Sequence, residues 1–382
     1  MAAESGNLLV AQLPICINWI ERDLEPRADS IDAQGEFPAD LLEAFASHGL
    51  LAACVPPSHG GSGMGAAAVG ALCEALGRSS ASALSLFTVH SMVSTAIARW
   101  GTCAQRDRWL RQLAQGSVIG ALALSEPAAG SDVDGAQTTL RIAADSIIVS
   151  GVKTWISFGR IADVFLVSGK LDGQLAAILV DRSTPGVTVE PITDLFGFRS
   201  GMLARVTFRE CEVPAASLLG APAFGLSQIV GSVLDHGRYC IGWGAAGLAG
   251  ACLRAAVDYA THRKQFGRPL STHPLVQRLI ARMMVDSRAA KLMCSDAARA
   301  RDEHRPDQLI RTAAAKYFAA RVADECASAA LQIHGAYGLT AACAVQRYLR
   351  DAKVFNLIEG STQIQEMLLA TEAAQWLEYE AT

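Results

Sequence analysis

The chain is 382 residues long, enough for two or three domains of roughly 150 residues each. It is 51% hydrophobic and only 18% charged, with 33 Lys+Arg against 37 Asp+Glu and a net charge of −4. That balance excludes the basic surface a nucleic-acid binder needs. It also excludes a disordered chain, because so many apolar residues can offset the entropy of ordering. The mean hydropathy is +0.24. One telling apolar stretch, Tyr239 to Leu253 between Arg238 and Arg254, has 15 uncharged residues, too short and too rich in Gly and Ala to span a bilayer. No membrane span is expected, so the apolar excess has to be buried elsewhere.

In chain order, three regions differ in texture. Residues 1–118 carry helical spacing, with Leu41, Leu42, Phe45 and Leu50 after Asp40, and Val69, Leu72 and Leu76 recurring at three and four. Pro56-Pro57 and Gly60-Gly61-Ser62-Gly63 interrupt this region. Residues 119–220 switch to short β-rich runs: Val118 to Leu124, Ser146 to Val149, Val164 to Ser168, Leu175 to Val180, Val187 to Pro191 and the alternating Leu203 to Phe208. Helical spacing returns over 221–382, in the stripe Leu275, Val276, Leu279, Ile280, Met283, Met284 and the Ala-rich run Ala313 to Ile333. Helices, then strands, then helices predict an α+β chain with segregated layers and three domains.

The first residues, Met1-Ala-Ala-Glu4, are acidic and lack the basic region of a secretory signal. Ten cysteines show no Cys-x-x-Cys pair and no zinc spacing, so no metal is expected. A reduced, cytoplasmic protein is the expectation.

Four segments carry chemistry. Ala123 to Asp132 (Ala-Leu-Ser-Glu-Pro-Ala-Ala-Gly-Ser-Asp) ends a strand in a Gly-Ser turn, whose free N–H groups either hold an anionic or carbonyl-rich ligand edge or close an ordinary turn. Gly151 to Gly159 places Trp155 between Thr154 and Ser157. That is either a planar wall with hydroxyl donors for a heteroaromatic cofactor or a core tryptophan. His262 to Leu270 offers Arg263, Lys264, Gln265, Phe266 and Arg268, which suit a pyrophosphate or merely complement a helix dipole. The fourth runs through Gln332-Ile-His-Gly-Ala-Tyr-Gly338 and Arg350-Asp351-Ala-Lys353 to Ile358-Glu-Gly-Ser-Thr-Gln-Ile-Gln365. Glu359, beside an apolar run, is either a desolvated general base or an acid favoured by the last helix's N-terminus.

In order and spacing across nearly the whole chain, these segments resemble the acyl-CoA dehydrogenase family of flavoproteins. Phe37-Pro38 to Met64, Val213-Pro214 to Gly220 and Leu234-Asp-His-Gly-Arg238 share the resemblance. It implies an N-terminal helical domain, a central β domain and a C-terminal four-helix bundle, assembled as a homodimer or homotetramer. It implies FAD, held by Leu124, Ser125 and Ser131 and walled by Trp155 and Ser157, with Ser361 and Gln363 touching it beside the base. Arg263, Gln265, Phe266, Gln332 and Gly335 resemble the set given to FAD by a neighbouring subunit. Glu359 falls on the catalytic glutamate. Some family members place the base one residue before the arginine matching Arg238; here that residue is Gly237.

The implied reaction removes an α-proton and a β-hydride from an acyl thioester, on CoA or on an acyl carrier protein, with an electron-transfer flavoprotein or another acceptor downstream. Ile358 where an aromatic is common, and Gly237-Arg-Tyr-Cys-Ile-Gly-Trp-Gly244, look closer to a branch that oxidises short, polar (hydroxy)acyl groups on a carrier protein in polyketide extender-unit synthesis. His90, Ser91, Arg238 and Ile358 are the expected substrate-contacting residues, His90 being either a ligand of a polar acyl group or a core histidine. A flavin oxidase or monooxygenase on the same fold, and a scaffold without flavin, are the competing readings.

Overall fold

The computed structural model describes residues 12–220 and 225–380. Helix α1 (12–19) runs through a π turn into α2 (Ala28–Gln34) and α3 (Ala39–Ser47). Helices α4 (Ala66–Ser79), α5 (Ala81–Trp100) and α6 (Cys103–Gln115) complete the N-terminal layer. Ser80 caps α5 by accepting from Ala83 N–H, and Thr102 with Gln105 forms a capping box at α6.

Eight strands follow: β1 (Gly120–Ala123), β2 (Thr139–Ala143), β3 (Ser146–Ile156), β4 (Val164–Leu171), β5 (Gln174–Asp181), β6 (Val187–Pro191), β7 (Ala204–Pro214) and β8 (Leu218–Leu219). They form one mixed sheet in the order β6-β7-β3-β2-β4-β5-β8, with β1 parallel to β4. Two features differ from expectation. Strand β2 is an additional element; with Arg141 and mostly exposed side chains it lacks the apolar alternation that marks a half-buried strand. Strand β3 continues through Ile156 because bulges interrupt its pairing with β7, one of them between Lys153 and Ile156, and a bulge destroys the period of two.

The C-terminal part holds α7 (Gly231–His262), a two-stranded ribbon β9 (Lys264–Gln265) and β10 (Arg268–Pro269), α8 (Pro274–Asp302), α9 (Gln308–His334), α10 (Val345–Phe355), α11 (Thr362–Thr371) and α12 (Ala373–Glu380). Helix α7 packs on α9 and α8, and also on α4 and α5 of the N-terminal layer. Its Gly/Ala content has a packing cause: a Cβ at Gly77 would overlap the backbone of Gly244, so α4 and α7 cross with their main chains in contact.

Two helices, Ala81–Trp100 and Gln228–His262, the second of which contains Tyr239 to Leu253, are long and apolar enough to cross a bilayer. Their apolar windows are 89% and 72% buried inside the protein. Much of the chain's apolar excess is therefore consumed in its own helix–helix contacts.

Candidate active site

The site lies where the three layers meet, in a cavity of about 590 Å³. The sheet supplies Leu124, Ser125, Ser131, Trp155 and Ser157; α5 supplies Ser85, Thr88 and Val89; α7 supplies Arg238; and the segment after α10 supplies Ile358, Glu359 and Ser361.

The sheet side is built around a buried ion pair. Lys153 Nζ donates to Glu126 Oε1 at 2.7 Å, to Leu124 O at 2.9 Å and to Ser168 Oγ at 3.2 Å. Glu126 in turn accepts the N–H groups of Gln137 and Thr138. Burial pushes the Glu126 carboxyl up, but hydrogen bonds from Lys153, Thr138 and Gln137 outweigh it and hold the group at about 2. Burial likewise lowers Lys153, against the attraction of Glu126. The result fixes Leu124 to Glu126, and Thr154 N–H donates to Ser125 O at 2.9 Å across to β3.

Trp155 follows at φ +59° with its side chain 59% exposed. A left-handed non-glycine residue costs on the order of 1–3 kcal/mol and persists where its surroundings impose it. Here the β3 bulge turns the indole out of the core and into the cavity, next to Ser157. An apolar wall with hydroxyls at its edge and backbone amides along Leu124–Ser125 fits a flavin ring, so the residues present fit FAD.

The opposite wall carries Glu359 at φ +53° and Gly360 at φ +81°. Gln365 Nε2 donates to Glu359 O at 3.1 Å and Gly360 O at 3.3 Å; Lys316 Nζ donates to Gly360 O at 2.6 Å. Ser361 caps α11 by accepting from Ile364 N–H, so both readings of this segment hold: it starts a helix and presents a carboxylate. Glu359 Oε2 is buried and meets no hydrogen-bond donor among the described residues. Burial raises its pKa to about 7, against the pull of Arg238 and Lys316. That places a general base near neutrality, where proton transfer is most effective.

Arg350 and Asp351 act at a distance from the cavity. Arg350 Nη1 donates to Phe196 O at 3.0 Å and Asp351 Oδ1 accepts Phe198 N–H at 2.8 Å, holding the 195–198 loop along the cavity rim.

The expected substrate contacts divide. Arg238 and Ile358 line the cavity. His90 and Ser91 do not: both lie on α5, but one step round the helix from the cavity-facing stripe of Ser85, Thr88 and Val89. His90 Nε2 faces Leu113 O at 3.1 Å, its Nδ1 receives Gly120 N–H, and burial lowers its pKa to about 4. It is a core histidine. Ser91 Oγ donates to Thr88 O and pairs with His236 at 2.8 Å.

Gln363 is exposed on α11 and does not line the cavity. Arg263, Gln265, Phe266, Gln332 and Gly335 do not line it either. They are exposed at one shared end of α7 and α9, where Tyr259 stacks on His334 at 4.3 Å. From Lys316 to His334 the rise of α9 is roughly 27 Å, so this set is remote from its own chain's cavity.

Lys153, Glu126, Lys316 and Gln365 are the supporting residues that sequence reasoning missed. The signal present was a lysine inside a β-rich run and another inside the Ala-rich helix, each expensive to bury unless paired.

The chain matches three family models in order: "Acyl-CoA dehydrogenase, N-terminal domain" over residues 16–117, "Acyl-CoA dehydrogenase, middle domain" over 121–211, and "Acyl-CoA dehydrogenase, C-terminal domain" over 224–374. It belongs to the acyl-CoA dehydrogenase family. The human mitochondrial short-chain specific acyl-CoA dehydrogenase is 34% identical over 94% of this chain and 88% of that protein. FkbI, described as serving biosynthesis of the methoxymalonyl extender unit of the Fk520 polyketide, superposes with a TM-score of 0.87 at 33% identity, covering 95% of this chain and 99% of the other. A glutaryl-CoA dehydrogenase of Mycobacterium smegmatis in complex with FADH2 superposes with a TM-score of 0.89 at 27% identity, covering 96% and 94%. Members of this family are FAD-dependent oxidoreductases acting on the CH–CH bond of acyl thioesters, and that is the activity class of this chain.

Proposed function

We propose that Glu359 is the catalytic base of this dehydrogenase and that its substrate is a short, polar acyl thioester. One observation carries the assignment: the desolvated, donor-free Oε2 of Glu359 shares a cavity with the out-turned indole of Trp155. FAD bound along Trp155 supplies the acceptor for the β-hydride. Glu359 takes the α-proton, and the electron pair of that C–H bond becomes the new double bond as the β-hydride departs. Leu124, Ser125, Ser131 and Ser157 orient the flavin edge, and the burial of Glu359 Oε2 keeps water from the carboxylate.

The acyl group is short because the same 590 Å³ must also admit the flavin ring, and polar because α5 offers Ser85 and Thr88 at the floor. The likeness to FkbI, which serves biosynthesis of a methoxymalonyl extender unit, supports a polar acyl group; we propose that its thioester is borne by a carrier protein rather than by free CoA. Arg263, Gln265, Phe266, Gln332 and Gly335 complete the FAD site of a second copy of the chain, a reading supported by their shared, exposed position far from their own cavity. An electron-transfer flavoprotein or another acceptor then reoxidises the enzyme, in a reducing cytoplasm.

The test is spectroscopic. The purified protein, mixed without oxygen, is expected to lose its flavin absorbance faster with a hydroxyacyl carrier protein than with butyryl-CoA. Faster loss with butyryl-CoA assigns the free CoA ester instead; no loss with either, with rapid peroxide formation in air, assigns an oxidase.

A further inference from the structure

The turn that carries Glu359 is made of two successive left-handed residues, and one of them is not glycine. Such a turn holds only where its surroundings impose it. Two fully buried side chains do so here. Gln365 reaches the carbonyls of Glu359 and Gly360, and Lys316, on α9, reaches the Gly360 carbonyl at 2.6 Å. Lys316 sits within the Ala-rich face of α9 that packs against Gly242 of α7, where an ordinary apolar residue would be the cheaper choice. A neutral donor would satisfy one carbonyl, so the burial of an ammonium calls for a second role. The donor-free Glu359 carboxylate, one residue before Gly360, supplies it.

We propose that Lys316 is the positioning residue of the catalytic turn, holding Gly360 through its ammonium and providing the counter-charge against which Glu359 ionises. This rests on the reading of Glu359 as the base. The groups facing Glu359 are Arg238, His236 and Cys240 from α7 and Lys316 from α9. Arg238 exerts the larger of the two cationic pulls on Glu359, and Lys316 adds the second, from the side of the turn it holds. Burial lowers the pKa of Lys316 to about 8, against the attraction of Glu359 and aided by repulsion from Arg238, and Lys316 lowers that of Glu359. The pair thus favours its mutually charged state, the one that can accept an α-proton.

The experiment is an infrared difference titration of the flavin-loaded protein. The protonated-carboxyl stretch of Glu359 is assigned by its loss in Glu359→Gln. In Lys316→Met its midpoint is expected to rise by about one pH unit or more, as loss of a close opposite charge does. The acid limb of kcat should move with it. Gln365→Met removes the other hydrogen bonds to the turn but no charge, so it should lower kcat and leave the midpoint in place. An unmoved midpoint in Lys316→Met overturns the proposal.

If Lys316→Met does not fold, Lys316→Arg decides. It keeps the cation, so an unmoved midpoint with reduced kcat supports the proposal and a raised midpoint overturns it. Full turnover by Glu359→Gln would remove the base assignment alone, since the titration still reads whether Lys316 acts on that carboxyl.

Discussion

Gly237 of α7 lies beneath the carboxylate of Glu359: a Cβ at position 237 would overlap Oε2 and press on the methyl of Met92. The two residues are 122 positions apart in sequence and meet only because α7 crosses the turn after α10. The room left by one residue's missing side chain is the room the other's carboxylate occupies. Gly237→Ala should therefore displace the base rather than unfold the protein. Misplacement by about 1 Å costs on the order of 10²-fold in rate, so kcat should fall by about that factor with the flavin spectrum intact. Steady-state rates alongside absorbance check it, and an unchanged kcat would show that the carboxylate works from another position.

The raised pKa of Glu359 has two consequences. As a base it must be deprotonated, so kcat/KM should climb as pH rises through about 7. Glu359→Gln should abolish flavin bleaching at every pH. Stability moves the other way. A carboxyl whose pKa goes from 4.5 unfolded to about 7 folded is no burden below 4.5; its destabilisation builds as pH rises from 4.5 to 7 and is constant above that. Once pH exceeds 7 the neutral Glu359→Gln should be more stable than the wild type by on the order of 1–3 kcal/mol, a margin that no longer grows with pH. Its advantage should vanish toward pH 4.5. Paired melting curves at pH 5 and pH 8 read this directly; equal shifts at both would place the charge elsewhere.

The Glu126–Lys153 pair predicts a non-additive response. Lys153→Met leaves a carboxylate buried with only two backbone N–H partners, and breaking such a pair costs about 3–5 kcal/mol. Removing both charges, in Glu126→Gln with Lys153→Met, should recover part of that loss. Because the pair orients Leu124 and Ser125, FAD affinity should fall in the single variant more than its stability explains. The linkage sign is that of a lowered acid: the Glu126 contribution is present above pH 4.5 and is lost as pH falls toward 2. Chemical denaturation of the single and double variants, with flavin titration of each, decides it. Full additivity would mean the two residues do not act as a unit.

Helix and strand periods in the sequence were enough to order the three layers, and the resemblance of four segments was enough to nominate Glu359 and Trp155. What they did not reach has specific causes. The extension of β3 to Trp155 was hidden by the bulge that turns its indole outward, since a strand with Lys153 and Thr154 both buried has no alternation to detect. Of the two readings of His90 the structure shows the core histidine; the sequence leaves both open because the floor of the cavity is defined by the helix's rotation about its own axis. Ser85, Thr88 and Val89 are within two turns of His90 and form a neighbouring stripe of the helix, the one that faces the cavity. Lys316 stands out in sequence only as a lysine in an Ala-rich helix; what it holds is not legible, because its partner is a backbone carbonyl and carbonyls carry no residue identity.

The exposed set at the far end of α7 points away from its own chain's cavity. Phe266 is 94% exposed, an extreme value for a phenylalanine, and sits at φ +53° between Gln265 and Gly267, so the turn itself projects the ring away from its own chain. Arg263, on the same turn, is equally free of the protein's core. A second copy whose cavity receives these residues would bury the ring and give the guanidinium a phosphate to grip, the bidentate pairing that arginine forms best. Phe266→Ala and Arg263→Ala leave each chain's own core untouched, so the fold by circular dichroism should be unchanged while FAD binds more weakly. Truncation of a buried aromatic or arginine anchor costs about 2–4 kcal/mol, roughly 30- to 1,000-fold in affinity. A mixture of Phe266→Ala with Glu359→Gln is the sharper form. If each site is completed by the other chain, mixed dimers contain one site with an intact base and an intact donor of Phe266, and activity should reappear on mixing. Activity that stays at the level of the separate variants after subunit exchange would place the FAD site within a single chain.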